Sequence, residues 1–229
     1  MTSKDPSTAA AEAAARELVK VAYGDLLQPA AREVGTELQE FVRAIVIAGR
    51  GFGYLIRETY EPFVLKALSR VENKILPSSH ILGNVLEAIS YEPSGTLLHE
   101  MFEGLLAASM DTSLYKSVHP SFPSIVKSLS PDEARLLVHI KNQSLIKITL
   151  HELPHVHNSK VEVFITDKIR LDTRDDIEFY VQQLFLHGLL AWDTNKSMWV
   201  QHNDRPSTQT ELILSTSGQR LMTACCFGA

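Results

Sequence analysis

The segment HEMFEGLLAASMD (His99–Asp111) carries the clearest helical pattern in this chain of 229 residues. Its apolar residues recur at intervals of three and four, which is typical of an amphipathic helix. With the residues just before it, the segment predicts a helix over Thr96–Met110. We expect Leu105, Leu106 and Met110 to lie in the core that this helix helps to build.

The segment LSPDEARLL (Leu129–Leu137) marks the start of a helix further along the chain. Ser130 is placed to cap this helix, Pro131 suits its first turn, and Glu133 stands three residues after the cap. In such a capping box, the serine and glutamate side chains accept hydrogen bonds from backbone N–H groups that have no partner within the helix. We therefore predict a helix over Pro131–Lys141.

Helical patterns dominate the chain before residue 120. Helix-forming residues begin at Ala9, and segments with proline separate the later helices. The helices predicted before the His99 segment are Ala9–Leu27, Leu38–Thr59, Phe63–Ile75 and His80–Ile89. Residues 1–8 are polar and are expected to be a disordered N-terminus. Residues 9–125 are predicted to form a helical domain that ends in a loop over Asp111–Pro123.

The chain after residue 125 mixes strand patterns with helical ones. Leu145–Leu150 and Val161–Ile165 alternate apolar and polar residues, as half-buried strands do. Asp172–His187 returns to helical spacing, and Gly188 is suited to end that helix because glycine adopts a left-handed conformation at little cost. A sheet and at least two helices are therefore expected in this part of the chain.

The last fifty residues predict a hairpin and a final helix. Leu189–Trp192 is expected to pair with either Met198–Val200 or Glu211–Leu214, and Ser217–Cys226 is expected to be helical. The order helix, helix, hairpin, helix is typical of a winged helix. We predict a mainly α protein in which the N-terminal helical domain is followed by a winged-helix-like α+β domain over residues 126–229.

Composition narrows the class of protein and the kinds of partner. Hydrophobic residues make up 45% of the chain and charged residues 21%, and the net charge is −5. This charge gives no general attraction to nucleic acid or to an anionic membrane. Cys225 and Cys226 are the only cysteines, and adjacent residues cannot link distant parts of a fold, so we expect a cytoplasmic protein. No signal peptide is seen, and no apolar run reaches the roughly 18 residues of a membrane span.

The segment HELPH (His151–His155), followed by His157, matches the H-E-x-x-H pattern of zinc proteases. That pattern requires a helix, because only a helix projects residues four apart from one face. Pro154 would break such a helix. We therefore predict no resident metal and no cofactor, and we retain His151, His155 and His157 only as weak candidates for metal binding.

Arg43, Arg50 and Arg57 recur every seven residues on one face of a predicted helix, beside apolar residues that include Ile45 and Phe52. This face could contact a partner protein or lie on the inner membrane after activation, in which case the protein would become membrane-associated. The plainer alternatives are a helix packed inside a bundle and an arginine face paired with neighbouring acids. The sequence pattern is the same in each case.

The predicted helix Asp172–His187 would be the recognition helix of the winged-helix-like domain. It contains Arg174 but also four acidic residues, Asp172, Asp175, Asp176 and Glu178. DNA phosphates would repel this helix, so we do not expect direct DNA binding. Trp192 and Trp199 have no basic neighbours of the kind that a base-stacking groove needs, and they are expected to be core anchors.

Several sequence segments together resemble the abortive infection alpha (Abi-alpha) family of bacterial phage-defence proteins. Besides the His99 and Leu129 segments, they are VHPSF (Val118–Phe122), FLHGLL (Phe185–Leu190) and STSGQRLMTAC (Ser215–Cys225). The resemblance implies defence by sacrifice of the infected cell. It implies no catalytic residues, and the chain itself shows no convincing catalytic set.

We therefore expect a non-enzymatic antiviral protein that acts through contacts with a protein, a second copy of itself or a membrane. The first alternative is a winged-helix adaptor or regulator that binds a partner protein. A metal-dependent hydrolase is the third and least expected alternative, because no carboxylate cluster or intact metal motif is visible in the sequence.

Overall fold

The structure is a computed structural model that describes residues 60–143, 146–151, 160–165, 171–173, 176–202 and 205–226. The chain divides into two compact units. The first unit comprises residues 1–128 and 223–229, and the second comprises residues 129–222. The described residues are mainly helical, as predicted. The predicted disordered N-terminus and the two predicted helices Ala9–Leu27 and Leu38–Thr59 lie outside the described residues.

Four helices of the first unit are described: α1 (Glu61–Ser69), α2 (Ser79–Ile89), α3 (Leu97–Ser109) and α4 (Phe122–Ser128). Local capping explains where two of them begin. The Ser78 hydroxyl accepts the Ile81 N–H at 3.3 Å, and the Thr96 hydroxyl accepts the His99 N–H at 3.1 Å. Each cap satisfies an N–H group that has no partner within the helix.

Helix α3 is the central element of the first unit, and α1, α2 and α4 pack around it. Leu105, Leu106 and Met110 are fully buried, which confirms their predicted place in the core. Tyr60 is also fully buried, and burial raises the pKa of its hydroxyl, which hydrogen-bonds with Ser90, to about 12. The described core of this unit is therefore mainly apolar, with Glu103 as a buried carboxylate that forms ion pairs with Lys66 and Arg70.

The predicted helix Phe63–Ile75 is wrong at its end, because α1 stops at Ser69. Lys74 instead forms an isolated antiparallel bridge with Asp111, and the Ile75 N–H donates to the Met110 carbonyl at 2.8 Å. These hydrogen bonds replace the ones that a longer helix would have made. The predicted loop is also too long, because α4 already begins at Phe122.

The second unit contains three helices and a four-stranded sheet among its described residues. In chain order these are α5 (Pro131–Gln143), β1 (Ile146–His151), β2 (Lys160–Ile165), α6 (Ile177–Leu186), β3 (Leu190–His202), β4 (Arg205–Leu214) and α7 (Thr216–Cys225), of which the last three residues belong to the first unit. The sheet is antiparallel, with the order β2-β1-β4-β3. Both predicted strands before α6 are therefore present, each within one residue of its expected start.

The predicted capping box at the start of α5 is present. The Glu133 N–H donates to the Ser130 hydroxyl at 3.2 Å, and the Ser130 N–H donates to the Glu133 carboxylate at 2.6 Å. Both side chains satisfy a backbone donor, so this helix start needs no help from the rest of the fold.

The hairpin forms between β3 and β4, with Leu190 opposite Leu214 and His202 opposite Arg205. Pairing of Leu189–Trp192 with Glu211–Leu214 is thus the correct alternative. Pairing with Met198–Val200 is wrong, because both segments belong to the same long strand and a strand cannot pair with its own continuation. The register shifts between Asp193 and Met198.

The predicted helix Asp172–His187 begins later than expected, at Ile177. The backbone N–H groups of Asp172 and Thr173 donate to the Asp132 carboxylate at 3.0 to 3.1 Å, which holds this stretch outside the helix. Gly188 adopts a φ of +68° just after the helix, as expected for a residue that ends it.

Candidate functional site

Helix α6 is held in place at its N-terminal end by one buried carboxylate. Asp132 lies in the first turn of α5 and is 4% exposed. Besides the two backbone N–H groups of Asp172 and Thr173, its Oδ2 atom lies 3.4 Å from the Tyr180 hydroxyl, which donates to it. The connection therefore reaches both the segment before α6 and the first turns of α6 itself.

Arg135 adds ion pairs to these contacts of Asp132, which we call the Asp132 anchor. Its guanidinium pairs with the Asp132 carboxylate and lies 2.8 Å from the Asp172 carboxylate. Burial by itself would raise the pKa of Asp132, but the hydrogen bonds from Asp172 and Thr173 and the charge of Arg135 outweigh it and lower that pKa. Asp132 therefore stays ionised to a lower pH than an ordinary aspartate, and it connects α5 with the segment before α6 and with Tyr180.

The exposed side of α6 carries two large apolar side chains besides polar ones. Tyr180, Val181 and Leu184 are buried against the rest of the unit. Phe179 and Leu186 lie on the opposite side of the helix, seven residues apart, and are 55% and 78% exposed. Burying exposed apolar side chains of this size against a partner would be favourable.

The neighbouring strand adds a further aromatic side chain. Trp192 of β3 stacks on Phe185 with the ring centroids 4.6 Å apart and an interplanar angle of 30°. Trp192 is 37% exposed, so its predicted role as a buried core anchor is wrong. Trp192 lies two residues after Leu190 in β3, which is an outer strand in the order of the described sheet. We call Phe179, Leu186 and Trp192 the apolar face.

The charges near the apolar face are acidic. Asp172, Asp176 and Glu178 are all exposed at or before the start of α6. Negative charge here opposes contact with nucleic-acid phosphates or anionic lipid headgroups. The same charge favours a partner whose apolar surface is bordered by lysine or arginine.

The residues that the sequence singled out as candidate sites are different from the three residues that define the apolar face. His151 is the last residue of β1, so the helix required by an H-E-x-x-H site is absent at that residue. Arg43, Ile45, Arg50, Phe52 and Arg57, together with His155 and His157, lie outside the described residues. Within the described part of the chain, no three His, Cys, Asp or Glu residues are grouped so that they could hold a metal ion.

The apolar face was not predicted from the sequence, although a signal was present. The buried stripe of α6 accounts for the apolar residues at Ile177, Tyr180, Val181 and Leu184, and it leaves Phe179 and Leu186 on the other side. Two large apolar residues seven apart, both outside the buried stripe, are the signal from which this surface could have been predicted.

No helix among residues 60–143, 176–202 and 205–226 is long and apolar enough to cross a membrane. No curated protein and no solved structure matches the chain significantly. A family model does match, under the description Abortive infection alpha, and the match extends over residues 56–225. Because this match covers well over half of the chain, the protein belongs to the Abortive infection alpha family.

Proposed function

We propose that this chain acts in abortive infection as a non-enzymatic protein that binds a partner protein through the apolar face. The observation that carries the proposal is the exposure of Phe179 and Leu186, at 55% and 78%, on a helix whose position is fixed by Asp132. A rigid helix that presents large apolar side chains is ready to bind without first being ordered.

The expected energetics support a protein partner. Burying one such side chain contributes about 1.5 to 3 kcal/mol, and Trp192, which is also exposed, stacks on Phe185 of the same helix. Aromatic and aliphatic anchors of this kind supply much of the binding energy in protein interfaces. The apolar face offers no paired nucleophile and base, which supports a binding role over a catalytic one.

The occupant we propose is a protein surface with apolar anchors and a basic border. Asp176 and Glu178 would then face lysine or arginine side chains of the partner. A second copy of this chain is the other occupant that the test below can detect. The acidic border also argues against DNA and anionic lipid as ligands of this face.

The topology of the second unit supports a winged-helix-like domain. β1 follows α5 and pairs with β4, α6 lies between β1 and β3 in the chain, and β3 and β4 form a long hairpin. In this proposal α6 takes the place of a recognition helix, and the hairpin is the wing. Winged helices serve as protein-interaction modules as well as DNA-binding ones, and the fold alone does not select between the two.

The proposed site of action is the cytoplasm. The two adjacent cysteines cannot link distant parts of the fold by a disulfide bond, and defence against phage takes place inside the cell. The membrane hypothesis concerns Arg43, Ile45, Arg50, Phe52 and Arg57, which lie outside the described residues. It stays a separate prediction and is tested as such below.

The proposal is tested by phage infection of a susceptible bacterium that expresses the chain. The variant Phe179→Asp/Leu186→Asp should lose most of its protection, measured as plaque counts. Leu65→Asp is the matched control, because Leu65 is an exposed leucine of α1, 44% accessible, in the other unit. Circular dichroism of both purified proteins checks the fold, and light scattering reports whether the face joins two copies. Full protection by a folded double variant would contradict the proposal.

A further inference from the structure

The apolar face is poorly suited to pair with the same face of a second copy. In a symmetric contact the same surface of both chains meets, so Asp176 and Glu178 of one copy would share the interface with the same two residues of the other. Both side chains are exposed, and Phe179 directly follows Glu178 in α6. Like charges placed together in an interface oppose association. A surface that suits this face is therefore apolar and basic, unlike the face itself.

Two exposed tyrosines of the first unit are each accompanied by a lysine. Tyr91 and Tyr115 are 43% and 41% exposed. Lys127 lies 5.6 Å from the ring centroid of Tyr91 and is also paired with Glu87. Lys116 lies 5.7 Å from the ring centroid of Tyr115. Each of these places combines one aromatic ring with one lysine, whereas the apolar face presents three large side chains, so neither place matches the face in size.

A better match is found in the sequence of Phe41–Arg57, which lies outside the described residues. These seventeen residues contain three arginines, at positions 43, 50 and 57, and no aspartate or glutamate. Apart from three glycines, the others are apolar. We call this stretch the basic segment. It combines the two properties, apolar side chains and positive charge, that a surface opposite the apolar face requires.

The spacing of the apolar residues in the basic segment also matches the face. The sequence predicts a helix over Leu38–Thr59, in which Ile45 and Phe52 lie seven residues apart. Phe179 and Leu186 are also seven residues apart and lie on the exposed side of α6. Seven residues span about two helical turns, or roughly 10.5 Å along the helix axis. The two pairs can therefore meet when the two helices lie side by side.

We propose that the basic segment of a second copy of this chain covers the apolar face until the partner protein takes its place. This inference rests on the proposed function, because it makes self-association and partner binding compete for one surface. The arginines of the segment lie near Asp176 and Glu178 in this contact, and its apolar residues lie against Phe179 and Leu186. Reciprocal exchange of the segment between two copies forms a closed dimer.

The test is the mass of the full chain in lipid-free buffer, measured by size-exclusion chromatography with light scattering. Wild type should be a dimer at about 10 to 100 µM, since a small interface of this kind is expected to have micromolar affinity. The variant Arg43→Glu/Arg50→Glu/Arg57→Glu should weaken the dimer about tenfold or more, because like charges then meet. Arg43→Lys/Arg50→Lys/Arg57→Lys is the matched control, because it keeps the charge at the same three positions.

The complementary change is made on the face, as Asp176→Lys/Glu178→Lys. Both residues are exposed, and the substitution brings the net charge of −5 closer to zero, which by itself would favour association. Weaker dimerisation of this face variant would therefore be specific to the contact between arginines and acids. An equal mixture of the face variant and the arginine-reversed variant should form dimers again, because each segment then meets a face of opposite charge.

Recovery of dimers in the mixture would support the inference and would show that both variants are folded. A monomeric wild type would overturn it, because the segment would then not join two copies. A dimer that neither charge reversal weakens would also overturn it, as would a mixture that stays monomeric although circular dichroism shows both variants folded. If the arginine-reversed variant does not fold, the face variant compared with wild type decides.

These outcomes are separate from those that test the proposed function. The proposed function fails if the folded variant Phe179→Asp/Leu186→Asp still protects against phage, whatever the mass of the chain in solution. A monomeric wild type whose protection depends on Phe179 and Leu186 would leave the proposed function standing without the basic segment as an occupant of the face.

Discussion

Gly104 of α3 lies against the backbone carbonyl of Cys225, so closely that a Cβ atom at position 104 would overlap with the carbonyl oxygen and with the carbon that bears it. This contact lies within the first unit, to which the last residues of α7 belong. It explains why a glycine occurs in the middle of the central helix, where its flexibility would otherwise be a cost.

Replacement of Gly104 by alanine should therefore destabilise the protein. Helix propensity alone would favour alanine by about 1 kcal/mol. Overlap with a backbone carbonyl should cost about 1 to 3 kcal/mol or more, so we expect a net decrease in the free energy of unfolding. The free energy of unfolding in urea measures it. Cys225→Ala is the control, because the overlap involves the backbone and not the thiol. A more stable Gly104→Ala variant would contradict the contact.

The Asp132 anchor predicts a pH-dependent contribution to stability. Because the pKa of Asp132 is lowered in the folded protein, its contribution is complete above its ordinary pKa of about 4. It is lost as the pH falls through the lower, folded-state pKa. Asp132→Asn should cost about 1 to 3 kcal/mol at pH 7, since buried donors lose a charged acceptor, and the cost should shrink towards pH 3.

Urea unfolding of wild type and Asp132→Asn at several pH values checks this prediction. Asp176→Asn serves as the control, because Asp176 is an exposed aspartate at the other end of the same segment. A constant difference between wild type and Asp132→Asn from pH 7 to pH 3 would show that the charge of Asp132 does not matter to the anchor.

His99 predicts a pH dependence in a different range. Desolvation lowers its pKa in the folded protein, against the opposing charges of Glu103, Glu92 and Glu100. The unfolded chain therefore binds a proton first as the pH falls below the ordinary value of about 6.5, and this destabilises the fold. His99→Gln should therefore remove the part of the stability loss between pH 7 and pH 5 that protonation of His99 causes.

The measurement is the melting temperature at pH 7, 6 and 5 for wild type, His99→Gln and the control His80→Gln. His80 is an exposed histidine of α2. If His80→Gln flattens the pH dependence as much as His99→Gln does, the burial of His99 is not the cause of that pH dependence.

The membrane hypothesis predicts an effect of residues 45 and 52 on toxicity without an effect on folding. Aspartate at both Ile45 and Phe52 would make insertion of an apolar helix face unfavourable. Infected cells that express the double variant should keep their membrane potential, followed with a dye, while wild type depolarises them. Ile45→Leu/Phe52→Leu is the conservative control. A double variant that fails to fold would indicate that these side chains pack in a core instead.

Helix starts and strands were predictable because their causes are local. The pairing of Ser130 with Glu133 needs only four consecutive residues, and the alternation in Lys160–Ile165 is visible without knowledge of its neighbours. The capping box and the strand therefore appear where the sequence placed them. Burial of Leu105 and Leu106 follows in the same way from helical spacing.

The candidate site was less predictable, because exposure depends on what covers a side chain. Trp192 was predicted to be a core anchor, and Phe179 was not assigned to any site, yet both side chains are exposed. Only the packing of α6 through its other face leaves Phe179 in solvent. The sequence showed the acidic residues near this helix and therefore predicted that DNA does not bind there, but it did not locate the apolar face.

The sequence by itself determined the mainly helical class, the capped starts of the helices, the alternation of the strands and the family. Tertiary structure alone decided where α1 ends and where α6 begins, since the backbone groups at Ile75 and Asp172 exchange helical hydrogen bonds for partners at Met110 and Asp132. Those partners are 35 and 40 residues away in the chain. A sequence pattern among neighbouring residues cannot predict such contacts, because they form only once distant segments have been brought together.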